Sequence, residues 1–341
     1  LTRQDFCDWQ MNAAPEAHGM NHSVVAMQGD EILATMGVTP AQFSMAGKHC
    51  QGAELTTWVV APEARGKGIG SGILGYLQDR YEVLTGAGIT AAALPLYLGA
   101  GFTFLAHIPR FFYISDFAKA EVFAPISDVA RRVQSKRQSQ AARPLWHAER
   151  MPAAALFSAA KLSAFGHFDR STERLAWRHD RHPAFAYDAF LVHQTAAGGE
   201  GAGVILREDI CEQVPILHVI DLFGAPEHLE AAMAFVEQEA HRRGAAFVDI
   251  SLTAGPLIAQ LRARGWSSAI DDPLIEMPSL FHPLELRRPP TTSMVIWGQN
   301  ARTALYDFGR LHITRADMDL DRPTLHWYET ALNRETETPA C

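Results

Sequence analysis

At 341 residues the chain is long for one domain and comfortable for two, and 48% apolar with 20% charged residues can supply buried cores. Its 38 acidic residues outweigh 30 basic ones, and a formal net charge of −8 argues against a dedicated nucleic-acid binder. Cys7, Cys50, Cys211 and Cys341 are scattered without a C-x-x-C pair. That spacing suggests neither a zinc site nor a disulfide framework, so the expectation is a reducing, cytoplasmic setting, with no signal peptide visible.

The first segment, "DWQMNAAP", places Trp9 six residues before Pro15, and two strand-like runs follow, "HSVVAM" and "EILATMGV". "AELTTWVV" reads as a further strand. It leads into "APEARGKGIGSGIL", residues 61–74, where glycines at alternate positions and two basic residues precede an apolar helix. In "SGILGYLQDRYE" Ile73, Leu74 and Leu77 share one helical face. Glycines let a backbone approach a ligand closely, and the unpaired N–H groups of a helix start point toward an anion. With Arg65 and Lys67 adding charge, a pyrophosphate suits this corner. The spacing is not G-x-G-x-x-G, no acidic residue closes a following strand, and no G-K-S/T is present, which excludes Rossmann and Walker A loops. A glycine turn that merely joins strand to helix is the plain alternative.

Next comes the strand-like "VLTGAG", then 21 residues without a formal charge, 89–109. Pro95 and the following "GAG" interrupt them, so they read as a buried helix plus strand and not as a membrane span. Further along, "DVARRVQSKRQSQAARP" is a basic helical stretch with the character of a solvated connector.

The landmarks then repeat. "AWRHDRHP" again sets a tryptophan, Trp177, six residues before a proline, Pro183, and the strand-like "AFLVHQ" and "GAGVIL" follow. Ala-Pro-Glu recurs in "VVAPEARG" and "LFGAPEHL". Pro62 lies 39 residues before the Gly-Phe at 101–102, and Pro226 lies 39 before the Gly-Trp at 265–266. Four landmarks in one order indicate a duplicated α/β unit, with copies over about 5–117 and 173–282.

Two motifs resemble those of the GNAT superfamily of acyl-CoA N-acyltransferases. "VVAPEARGKGIGSGIL" looks like the family's pyrophosphate-binding motif, with Arg65, Gly68 and Gly70 in place. "AALPLYLGAGF" looks like its second motif through Ala93, Leu96, Tyr97, Gly101 and Phe102. Pro95 inside that short helix and Thr90, where the family often has Asn, depart from the pattern. The resemblance implies an α+β (mixed α/β) chain of two tandem GNAT-like domains, each a mixed, mostly antiparallel twisted sheet flanked by helices. The divisions expected are an acyl-CoA-binding domain over 1–117, a connector over 118–172, a degenerate copy over 173–282 and an extension over 283–341.

By the same resemblance, acetyl-CoA or another short acyl-CoA is the cosubstrate and no metal is needed. Backbone groups of Trp58, Val59 and Val60 would bind its pantetheine arm like an added strand. The loop Arg65, Gly66, Lys67, Gly68, Ile69, Gly70 and Ser71 would hold its pyrophosphate, and Tyr97 would protonate the departing thiolate. An amine nucleophile needs a base, and Glu54, eleven residues before Arg65, is the candidate, its pKa raised by burial beside the cleft. A packing role for Tyr97 and a substrate contact or ion pair for Glu54 are the alternatives. Counted from Pro226, the positions of Arg65, Gly68, Gly70 and Tyr97 fall on Leu229, Ala232, Ala234 and Leu261, so the second copy is not expected to bind acyl-CoA.

Opposite Glu54 the second copy has His218, followed by Asp221, and across a shared cleft both would face the acceptor; an ordinary strand histidine is the alternative. Arg178, His179, Asp180, Arg181 and His182 form a cluster that suits an anion or acceptor contact, or simple surface structure, better than a metal. In "ITRADMDLDRP" Asp317, Asp319 and Asp321 alternate, but Arg322 and Tyr328 occupy the slots where an EF-hand needs Gly and Glu, which leaves a solvated loop or an acceptor contact. The acceptor expected is a small-molecule primary amine. The layout is similar to tandem acyltransferases that modify nucleotide-linked amino sugars, while a non-catalytic acyl-CoA-binding or scaffolding protein is the reading from another class. Neither a nucleic-acid nor a membrane partner is expected.

Overall fold

The computed structural model describes residues 3–45, 47–162, 164–194, 200–272, 274–279, 290–299, 305–318 and 323. Its strands are β1 (Val24–Gln28), β2 (Glu31–Met45), β3 (Lys48–Val60), β4 (Val83–Ala87), β5 (Thr103–Leu105), β6 (Arg110–Ile114), β7 (His147–Met151) and β8 (Gly166–Phe168). The chain continues through β9 (Asp188–His193), β10 (Ala202–Cys211), β11 (Val214–Gly224), β12 (Phe247–Ser251), β13 (Ser267–Ser268), β14 (Met294–Gly298) and β15 (Leu311–His312). They form two mixed sheets. One runs β15-β8-β2-β3-β4-β14-β5 with β1 also on β2, and the other β13-β6-β12-β11-β10-β9-β7. This is the mixed α/β architecture expected.

The two sheets repeat one plan. In each, a long antiparallel hairpin (β2–β3, β10–β11) is followed by a parallel strand (β4, β12), reached through a crossover helix, Ile69–Gln78 or Pro226–Arg242. A short helix then ends on a glycine, Gly101 at φ +82° or Gly265 at φ +81°. Both ends close with the same pair of bonds. Phe102 N donates to Tyr97 O and Gly101 N to Leu98 O, while Trp266 N donates to Leu261 O and Gly265 N to Arg262 O, each at 3.0 Å. The helix geometry thus sets Tyr97 opposite Leu261, as the 39-residue spacing predicts.

Sheet membership does not follow the expected division at 117. β6 leaves the first half and inserts between β12 and β13, while β14 leaves the second half and inserts between β4 and β5. The exchange is reciprocal: each half gives one strand to an interior position of the other's sheet, and β15 also joins the first sheet at its far end. Residues 294–298, expected in a C-terminal extension, therefore stand inside the first sheet, between β4 and β5. Both strands are buried along their whole length, so separating the halves would expose two apolar strands and their backbone ladders together.

The Trp-Pro segments meet as well. Trp9 and Trp177 each occupy the second position of a five-residue π-helical turn, Asp8–Asn12 and Ala176–Asp180. Their rings stack at 4.7 Å, and each indole N–H donates to the other's carbonyl at 2.9 Å. A duplicated sequence landmark has become a local two-fold axis between the halves.

Candidate active site

The glycine corner is bare in the folded chain. Pro62–Ala64 makes one 3-10 turn after β3, and the helix Ile69–Gln78 begins at Gly68, which caps it at φ +80°. Gly66 has φ +74°, and an added Cβ at either glycine would meet nothing within 4 Å. Here glycine is required by the backbone turn and not by crowding. Gly70 differs, because a Cβ there would come within 2.8 Å of the Trp58 ring. Arg65, Gly66, Lys67, Gly68 and Ser71 are exposed and Ile69 is half-buried. Among the described residues the backbone N–H groups of 66–71 donate to no carbonyl, so a cluster of unpaired dipoles sits beside two cationic side chains.

The loop closes the end of a slot. β3 and β4 pair from Gly52–Val83 to Leu55–Gly86 and then part. Residues 56–60 remain bonded to β2 on one side, and no described strand pairs with them on the other. At Thr57 β3 bulges, with φ +35°. The bulge returns Trp58 and Val60 to the helix face of the sheet, where they pack with Ile73, Leu74 and Leu77, while Val59 is exposed. The buried Trp58 Nε1 has no hydrogen-bond partner among the described residues.

Tyr97, on the helix Leu94–Gly99, stands over this slot. Its ring meets Trp58 edge-on at 5.2 Å and Phe102 at 5.0 Å. Burial pushes the phenol well above its ordinary range, so it carries its proton at neutral pH. Glu54 projects from the opposite face, 9% exposed, toward the second half of the chain. Around it are Phe168, Met318, Trp9, Trp177 and Arg178. A proton donor and a carboxylate therefore flank the inner end of the slot from opposite sides of the sheet.

Residues 4–104 match the family model of a GNAT acetyltransferase domain. The first part of the chain thus carries a GNAT-type domain. Among solved structures, a conserved protein from Enterococcus faecalis V583 described as a probable N-acyltransferase is similar at a TM-score of 0.50 and 13% identity, over 80% of this chain and 61% of that one. GCN5-related N-acetyltransferases from Kribbella flavida (TM-score 0.45, 20% identity, 82% of this chain and 60% of that one) and Anabaena variabilis (0.48, 13%, 82% and 63%) are also similar. The chain spans about three fifths of the length of each, and at 13% identity the likeness to the Enterococcus faecalis protein is one of fold. No curated protein sequence gives a significant match.

The GNAT domain's slot has a filled counterpart. β11 and β12 part after Val219–Ile250, but the chain itself occupies the wedge beyond. Leu252 bridges to Thr314, Thr253 N donates to Ile313 O at 3.1 Å, and Thr253 Oγ1 donates to Leu311 O at 2.6 Å. Residues 220–224 are all buried. The glycine corner is missing too, for the counterpart helix starts directly at Pro226, and Leu229, Ala232 and Leu261 are core residues.

His218 and Asp221 lie in the interior and not at an exposed cleft. Both are wholly buried, because the apolar run around them makes β11 a strand covered on both faces. His218 Nδ1 lies 2.5 Å from Asp249 Oδ1, and Asp221 takes Arg170 Nε at 2.6 Å and Thr314 Oγ1 at 2.9 Å. Arg170 also forks onto Asp317, with both contacts at 2.7 Å. Burial alone would raise the Asp221 carboxyl, but the Arg170 charge and the bonds around it outweigh burial and hold it well below the carboxylate range. Asp317 is thus a buried ion-pair partner and not part of a solvated loop, while Asp319, Asp321, Arg322 and Tyr328 lie outside the described residues. Arg178 and His179 are buried rather than superficial, and Arg178 Nε donates to Ala316 O at 3.1 Å. Asp180, which is exposed, accepts from the N–H groups of Ala153 and Ala154. Among the described residues no cluster of His, Cys, Asp or Glu suits a metal, and no helix is long and apolar enough to cross a membrane.

Proposed function

We propose that the protein transfers a short acyl group from acyl-CoA to the primary amine of a small molecule, using the slot of the first half. The observation that carries this reading is the edge of β3 over 58–60, with which no described strand pairs, and which leads to the N–H groups of 66–71 that donate to no described carbonyl. An extended chain terminating in a diphosphate matches that pattern of strand edge followed by anion cradle. Arg65, Gly66, Lys67, Gly68, Ile69, Gly70 and Ser71 would hold the diphosphate, and Trp58, Val59 and Val60 the pantetheine arm. When bound, acyl-CoA supplies an activated thioester carbonyl. Tyr97 holds the proton that the leaving sulfur takes up, and Glu54 takes the proton that the amine must lose before it attacks. The C–N bond forms as the C–S bond breaks.

The test is thiol release from acetyl-CoA by the purified protein with a panel of amines: amino-sugar nucleotides, polyamines, aminoglycosides and amino acids. Tyr97→Phe should lower kcat about 10- to 100-fold with little change in KM for acetyl-CoA, at the low end for a general acid because water can also protonate a thiolate. CoA binding without thiol release from any amine would favour the second reading, an acyl-CoA-binding module.

A further inference from the structure

The sheet register places three polar residues side by side at the apex of the slot. Thr39 on β2 and Thr85 on β4 are the direct cross-strand neighbours of Glu54 on β3. Thr39 is 1% exposed and Thr85 4% exposed, and neither hydroxyl has a hydrogen-bond partner among the described residues. A buried hydroxyl without a partner is costly, and two on either side of one carboxylate call for an explanation. Each borders its own cavity, and Glu54 borders both. The cavity at Thr85, walled by Phe168, Ile313 and Met318, offers about 10 Å³ to the centre of a water molecule; the one at Thr39, beside Trp9, Trp177 and Arg178, offers about 20 Å³. Each volume is of the size that one water needs.

The second half supplies an internal control. Glu54 and His218 each lie eight residues before the shared proline, and Thr85 and Asp249 each lie 23 residues after it. Arg207 pairs across to His218 as Thr39 does to Glu54. In that row His218 Nδ1 lies 2.5 Å from Asp249 Oδ1, and Arg207 turns instead to Asp209, two residues along its own strand, at 2.7 Å. The row in the working half keeps its hydroxyls open beside water-sized space.

We propose that Thr39 and Thr85 are positioning residues, each holding one water molecule against the Glu54 carboxylate, so that a two-water path runs from strand to strand along the face of the sheet that meets the second half. Along it the acceptor ammonium gives one proton through the Thr85 water to Glu54, leaving the neutral amine. Glu54 passes that proton through the Thr39 water toward solvent and is restored as carboxylate. The proposal rests on the transferase reading above.

A high-resolution crystal structure of the unliganded protein, read together with kinetics of Thr39→Val and Thr85→Val, tests it. Expected are one ordered water bridging each hydroxyl to Glu54, and a kcat about tenfold lower in each valine variant at unchanged KM for acetyl-CoA, a share of what general base catalysis supplies. Thr85→Ser, which keeps the hydroxyl, should restore kcat, and melting curves should match the wild type. Dry cavities overturn the proposal whatever the activity. Bridging waters with wild-type kcat in both valine variants overturn it too while leaving the transferase reading intact. A wild-type protein that releases no thiol with any amine refutes that reading and the proton path with it.

Discussion

Gly68→Asp should weaken CoA binding about 10²- to 10³-fold, because a carboxylate about 4 Å from the diphosphate costs roughly 4 kcal/mol at an effective dielectric of 20. The variant isolates charge from folding. Gly68 sits at φ +80° with open space where a Cβ would stand, and aspartate tolerates the left-handed region better than most residues. Gly68→Asn carries nearly the same bulk and backbone preference without the charge, so its affinity should fall only a few-fold. Titration calorimetry with CoA on both variants reads the difference directly. Equal losses in the two would mean that shape, not charge, governs the corner.

The second large effect concerns stability. Arg170→Met removes the guanidinium that joins Asp221 to Asp317, and breaking a buried ion pair from one side typically costs about 3–5 kcal/mol. For a chain of this size that corresponds to a melting temperature lower by roughly 6–10 °C. The pH dependence should change as well. In the wild type the folded Asp221 carboxyl lies below its unfolded value of about 3.9, so its stabilisation is present above that pH and is lost as pH falls through the folded value. Without Arg170 the largest charge that offsets burial is gone, so the folded carboxyl moves up and this stabilisation shrinks. The deficit relative to wild type should therefore be smaller near pH 4 than near pH 7. Thermal melts of both proteins across that range measure it.

The sequence made the duplication legible because its landmarks are backbone devices. A Trp-Pro entry, a proline after the central strand and a left-handed glycine 39 residues later constrain the chain wherever they occur. The bare turn at Gly66 and Gly68, and the place of Tyr97 in the short helix before Gly101, were legible for the same reason. The exchange of β6 and β14 was not. "RFFYI" and "MVIWG" are apolar runs that satisfy an interior position in either sheet, and nothing local names the partner. His218 and Asp221 have the chemistry of a site, yet they sit in "PILHVIDLFG", a run apolar enough to be buried on both faces. Thr39 and Thr85 gave no signal of their own, since threonine in a strand is ordinary until the register sets both beside Glu54. Arg170 was silent as well, because its partners lie 51 and 147 residues away.

The most direct test of the account is a crystal structure of the protein with CoA bound. The diphosphate should accept hydrogen bonds from backbone N–H groups within 66–71, the pantetheine arm should lie along 56–60, and the sulfur should stand within reach of the Tyr97 hydroxyl. A cofactor lodged between β11 and β12, or a diphosphate held away from the glycine corner, would contradict it.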